Sequence, residues 1–166
     1  MNMILCGFQG VGKTYFGRRA SEQLKRPFFD VDAELLKKNE ASCIRALHME
    51  LGESEFRRQE ADVVIELVTT KKESVIALGG GSLTSTHCHE HVIRNGKLFY
   101  LYRAEKKLQS ELVTKPLPSY LQNREEAFQT LYRARHNIFL ALAHVVIDVD
   151  SHIEEELVSL LSTFSL

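Results

Sequence analysis

The segment Gly7-Phe8-Gln9-Gly10-Val11-Gly12-Lys13-Thr14 follows the apolar run Met3-Ile4-Leu5-Cys6 and fits the pattern GxxxxGK followed by Ser or Thr. That pairing demands a short buried strand, a glycine turn and a helix whose first amides face an anion. Glycines let the backbone wrap closely around a di- or triphosphate. Gly7 to Thr14 form the expected phosphate cradle, with Lys13 on the outer phosphates and the Thr14 hydroxyl suited to ligate magnesium. The competing reading is a glycine-rich turn with an incidental lysine. It accounts for neither the strand before the loop nor the helix-compatible sequence after it.

A chain of 166 residues suits one domain with a sheet covered by helices on both faces. The 21 basic and 22 acidic residues nearly balance, which gives no basic groove for nucleic acid and points to small-molecule partners. Cys6, Cys43 and Cys88 are odd in number and form no CxxC pair, as expected for a reducing compartment. The chain enters its first strand within two residues, leaving no room for a signal peptide, and no apolar stretch approaches the ~20 residues of a membrane span. These features predict a cytoplasmic protein with no membrane partner.

Short apolar runs alternate with longer helical segments, the pattern of a parallel sheet with crossover helices. Strands are expected at Met3 to Cys6, Pro27 to Val31, Val75 to Leu78, Leu98 to Leu101 and Val145 to Ile147. Helices are expected over Lys13 to Leu24, Ser54 to Thr69, 86 to 94 and Glu125 to Leu142, with a stop at Asn95-Gly96. The long helix is expected to face inward through Ala127, Leu131, Ala134 and Ile138, and Ile153, Leu157, Leu160, Leu161 and Phe164 predict a last amphipathic helix. Arg103 to Asn123 is mostly polar and contains Pro116 and Pro118, which suits a lid that excludes water or an ordinary surface insertion.

Three further clusters suggest a phosphoryl acceptor site. Asp30 and Asp32 end the second strand, where open parallel sheets bind ligands. One carboxylate suits metal-bound water and the other an acceptor hydroxyl, while an N-cap role for Asp32 is the structural alternative. Arg57 follows Phe56 on a helix and suits a carboxylate, although arginine pairs such as Arg57-Arg58 more often face solvent. Gly79, Gly80 and Gly81 follow a strand and imply close approach of backbone to ligand. His87, His89 and His91 invite a zinc reading, which a helix over these positions disfavours because it splays them apart.

In this order the landmarks resemble the shikimate kinase family of phosphate-loop proteins over nearly the whole chain. The resemblance implies a three-layer α/β/α fold with a five-stranded parallel sheet in the order 2-3-1-4-5. It also implies ATP-dependent phosphorylation of the 3-hydroxyl of shikimate, with Mg2+, in aromatic amino-acid biosynthesis by a monomer. By resemblance Gly10, Val11, Gly12, Lys13, Thr14 and Tyr15 bind the ATP phosphates, Lys13, Asp30, Asp32 and Lys115 are catalytic, and Thr14 and Asp30 hold magnesium. Asp32, Arg57, Gly79, Gly80, Gly81 and Arg135 bind shikimate, with Phe139 four residues after Arg135 where the family has tyrosine. Lys115 stands in Lys115-Pro116-Leu117 where the family has arginine, and it loses the planar fork that grips two phosphate oxygens. His152 is the candidate near the adenine. The rivals are another small-metabolite kinase, such as a gluconate kinase, and a nucleotide-binding regulator without turnover.

Overall fold

In a computed structural model, the structure describes residues 1–112 and 125–163. Five parallel strands form one sheet in the order β2-β3-β1-β4-β5: β1 Asn2–Cys6, β2 Phe28–Asp30, β3 Val75–Ala77, β4 Gly96–Tyr102 and β5 Val145–Asp148. This is the order that the family resemblance implies. The helices are α1 Lys13–Leu24, α2 Val31–Lys38, α3 Ile44–Thr70, α4 His89–Asn95, α5 Glu105–Leu112, α6 Glu125–Leu142 and α7 Glu154–Thr163.

Alternation along each strand divides the core between the two faces of the sheet. Ile4, Cys6, Ile76, Leu78, Leu98 and Tyr100 pack with Phe56, Val63, Val64, Leu67 and Val68 of α3. Met3, Leu5, Val75, Phe99, Leu101 and Ile147 pack with Ala20 of α1 and with Leu157 and Leu161 of α7. The central strands β1 and β3 are therefore buried along their whole length, as a sheet covered on both sides requires, whereas the edge strands β2 and β5 are only partly covered. The cysteines are free, with Cys6 and Cys88 buried and Cys43 exposed. Among the described residues no helix is long and apolar enough to cross a membrane.

Four expectations need correction. The third helix begins ten residues earlier than Ser54, at Ile44, and breaks at Gly52, where φ is 74° and ψ 164°. The second strand stops at Asp30, and Val31 already belongs to α2. The inward face of α6 is shifted by one position: Phe128, Tyr132, Arg135 and Phe139 are buried, whereas Ala134 is exposed and Ala127, Leu131 and Ile138 are half-buried. Large rings outcompete alanines for the interior. Ile153 is 63 % exposed and precedes α7, whose buried face is Leu157, Val158 and Leu161. Phe164 lies outside the described residues. The first part of the expected lid, 103–123, is helical in α5, and 113–124, including Pro116 and Pro118, lie outside the described residues.

Gly7 joins the sheet to the phosphate loop under a tight constraint. Its φ is +150°, and a Cβ there would sit 2.6 Å from the Leu101 carbonyl oxygen, a backbone atom of β4 that cannot move aside. Gly7→Ala is expected to destabilise the fold by about 2 kcal/mol or more, read as a lowered urea midpoint. An unchanged midpoint would remove Gly7 from the architecture.

Candidate functional site

The glycine loop leaves β1 at Cys6 and enters α1 at Lys13, with Gly10 and Gly12 at φ +84° and +99°. Lys13 is buried, and its ammonium donates to the Gly7 and Phe8 carbonyls at 2.9 and 3.1 Å. Burial lowers its pKa, while Asp32 and Asp30 oppose that shift. The Thr14 hydroxyl donates to Asp30 Oδ2 at 2.7 Å, so the two expected metal ligands meet. Asp30 Oδ1 accepts from the Asp32 and Ala33 amides at 3.0 and 3.3 Å and caps α2. The helix N-cap is therefore Asp30, not Asp32. Asp32 reaches the site from the first helical turn instead of from an extended strand, because the chain turns at Val31.

Around Asp32 the chain closes tightly. A Cβ at Gly79 would lie 2.7 Å from Asp32 Oδ1 and 2.9 Å from the Ser82 hydroxyl, and would also strike Glu60 Oε1. Side-chain oxygens from two helices and a turn thus crowd onto Gly79. One at Gly81 would fall 2.8 Å from the Arg57 guanidinium carbon, and one at Gly80 3.2 Å from the Gln9 amide of the phosphate loop. Burial, then the negative charges of Glu60 and Asp30, push the Asp32 carboxyl up from 3.8 to about 6, against Lys13 and Arg57. A carboxylate so placed is poised to take a proton near neutral pH.

Arg57 is held by two carboxylates on its own helix, Nε to Glu53 at 2.8 Å and Nη1 to Glu60 at 2.7 Å. Glu60 is 2 % exposed and accepts the Ser82 hydroxyl at 2.8 Å. Arg135 approaches from α6, 3 % exposed and 5.4 Å from the centre of the Phe8 ring, whereas Arg133 on the same helix is exposed. Both arginine-bearing helices pack on the short turn Ser82–Thr84 that follows the three glycines. Tyr100 of β4 holds α6 through a 2.8 Å bond to His136 Nδ1.

The remaining expected site residues are peripheral or undescribed. Tyr15 is half exposed and hydrogen-bonds Glu154, which raises its pKa, beside the Arg19–Glu154 pair. His152 stands 3.7 Å from Glu156 at the sheet's far edge. Lys115 lies outside the described residues. His87, His89 and His91 do not assemble a metal site: among the described residues no three His, Cys, Asp or Glu side chains do, and His89 bonds the Leu83 carbonyl. Glu53, Glu60, Ser82 and Gln9 were given no role from the sequence. The spacing of Glu53, Arg57 and Glu60, four and three apart on one helix, is the signal that could have revealed the first two.

The family model described as shikimate kinase matches residues 9–164. The shikimate kinase of Methylococcus capsulatus is 33% identical over 91% of this chain and 84% of that protein. That of Geobacillus thermodenitrificans is 30% identical over 89% and 80%, respectively. Among solved structures, shikimate kinase from Acinetobacter baumannii in complex with shikimate superposes with a TM-score of 0.89 at 29% identity, over 98% of this chain and 91% of that one.

Proposed function

This chain belongs to the shikimate kinase family, and on that premise we propose that it transfers the terminal phosphoryl group of ATP to the 3-hydroxyl of shikimate. The observation that carries this reading is the half-buried Asp32 carboxylate, within electrostatic reach of the phosphate-loop Lys13 and of Arg57, with Gly79 against it. A small anionic polyol needs a guanidinium at one end and a carboxylate at its reacting hydroxyl.

In this reading the loop amides from Gly10 to Tyr15 receive the polyphosphate, and Lys13 exchanges the Gly7 and Phe8 carbonyls for phosphate oxygens. Arg57 and Arg135 hold the shikimate carboxylate, and Gly79, Gly80 and Gly81 let the backbone approach the ring. Asp32 orients the 3-hydroxyl and accepts its proton. The paired oxygens of Thr14 and Asp30 form a hard donor set that fits Mg2+, which when bound neutralises phosphate charge. Lys115 supplies lid charge to the phosphates, and His152 lies toward the adenine. Residues 1–166 act as one catalytic unit, a cytoplasmic monomer whose partners are ATP and shikimate.

Purified protein with MgATP is expected to release ADP only when shikimate is supplied, and EDTA is expected to stop it. ADP release driven by gluconate instead would favour the gluconate kinase reading. Nucleotide binding with no acceptor-dependent turnover would favour a regulator.

A further inference from the structure

The helix that carries Arg57 contains a break whose two sides are joined by one side-chain bond. His48 lies before Gly52 and Glu53 after it, and His48 Nε2 meets Glu53 Oε2. Five residues apart on an unbroken helix, these side chains would point to different faces. The left-handed Gly52 brings them together. A Cβ at Gly52 would meet nothing within 4 Å, so the glycine serves the backbone conformation and not a steric need.

From His48 two routes lead to Arg57. Glu53 uses its other oxygen to accept from Arg57 Nε at 2.8 Å. The Phe56 ring has His48 edge-on at 4.8 Å between centroids and the Arg57 guanidinium at 5.2 Å from its own. Bonds from Arg57 and His48 hold the Glu53 carboxyl below its usual range, although its partial burial works the other way. An ionised carboxylate only accepts, so the proton between Glu53 and His48 belongs to Nε2. Glu53 has 63 % of its side chain exposed, and on its own it would be a loosely held partner for Arg57; the side chain of His48 is 19 % exposed.

We propose that His48 is a positioning residue for substrate recognition, bracing Glu53 across the Gly52 break so that the Arg57 guanidinium is presented in one orientation to the acceptor's carboxylate. The inference rests on the reading of Arg57 as that carboxylate's partner. Two carboxylates fix Nε and Nη1, and loss of the outer one lets the guanidinium plane rotate about its remaining bond to Glu60. The brace acts on acceptor binding and leaves the phosphoryl-transfer centre at Asp32 and Lys13 untouched.

The test separates ring packing from hydrogen bonding. His48→Phe keeps a ring on Phe56 without a donor, and His48→Gln keeps a donor without the ring. His48→Phe is expected to raise the KM for shikimate about fivefold while kcat and the KM for ATP stay within about twofold, and His48→Gln to restore most of the loss. In the same proteins without substrate, the Arg57 Nε–H proton, assigned in 15N NMR by its loss in Arg57→Lys, is expected to exchange faster with water in His48→Phe than in wild type. A wild-type KM and a wild-type exchange rate in His48→Phe would overturn the brace, as would equal losses in the two His48 variants. If the wild-type protein does not use shikimate at all, the function fails on its own and the exchange measurement still decides the role of His48.

Discussion

Asp32→Asn is expected to lower kcat by about a thousandfold, the range for loss of a positioned general base, while ATP binding persists. The same variant is expected to be more stable than wild type at pH 8. In the fold Asp32 titrates at about 6 against 3.8 for a free carboxyl, because it is buried near Glu60 and Asp30. The folded state therefore prefers the protonated form. Below 3.8 both folded and unfolded chains hold the proton and the group costs nothing. As pH rises through 3.8 to about 6 the unfolded chain ionises first, and stability falls by an amount on the order of 3 kcal/mol, fully developed above 6. Asparagine carries no such penalty. Denaturant midpoints of the magnesium-free proteins should differ clearly at pH 8 and converge near pH 4. Wild-type kcat together with a pH-independent midpoint difference would refute both the role and its electrostatic cause. A site that gains stability when its acid is neutralised holds that acid for chemistry rather than for folding.

Legibility from sequence follows the range of the interactions. The phosphate loop was readable because its constraint is local, and the contiguous apolar strands announced a sheet buried on both faces. The sheet order came through the family resemblance and could not be read from the strands themselves. The face of α6 was misassigned by one residue. Ala127, Leu131, Ala134 and Ile138 are apolar at helical spacing, but the interior needed the volume of Phe128, Tyr132 and Phe139, and it takes Arg135 between them. A buried arginine runs against any hydrophobic pattern, so the pattern alone steers away from Arg135, the residue proposed to hold the substrate's carboxylate. The start of α3 was missed because Gly52 looks like an end, although the helix resumes after it. Glu60 received no role from the sequence, since a buried carboxylate makes sense only beside Ser82, twenty-two residues on, and Arg57. The helix cap fell to Asp30 and not to Asp32 because of where one strand ends, the least readable quantity in a sequence.

Arg57→Ala and Arg57→Lys are expected to separate two functions of one guanidinium. Arg57 neutralises the buried Glu60 within its own helix, and in the proposed reaction it also grips the acceptor's carboxylate. Truncation to alanine removes both. The KM for shikimate is expected to rise about a hundredfold, in line with loss of one partner of a hydrogen-bonded charge pair. The fold is expected to lose about 3 kcal/mol because Glu60, 2 % exposed, is left uncompensated. Lysine returns a charge to Glu60 but not the planar fork that engages Glu53, Glu60 and a ligand at once. Arg57→Lys should therefore recover most of the denaturation midpoint and little of the substrate affinity. If lysine restores both, the residue acts as a point charge and the geometry of the fork is irrelevant. An unchanged KM in Arg57→Ala would remove Arg57 from acceptor recognition, leaving it to hold Glu60 and Ser82 against the glycine loop.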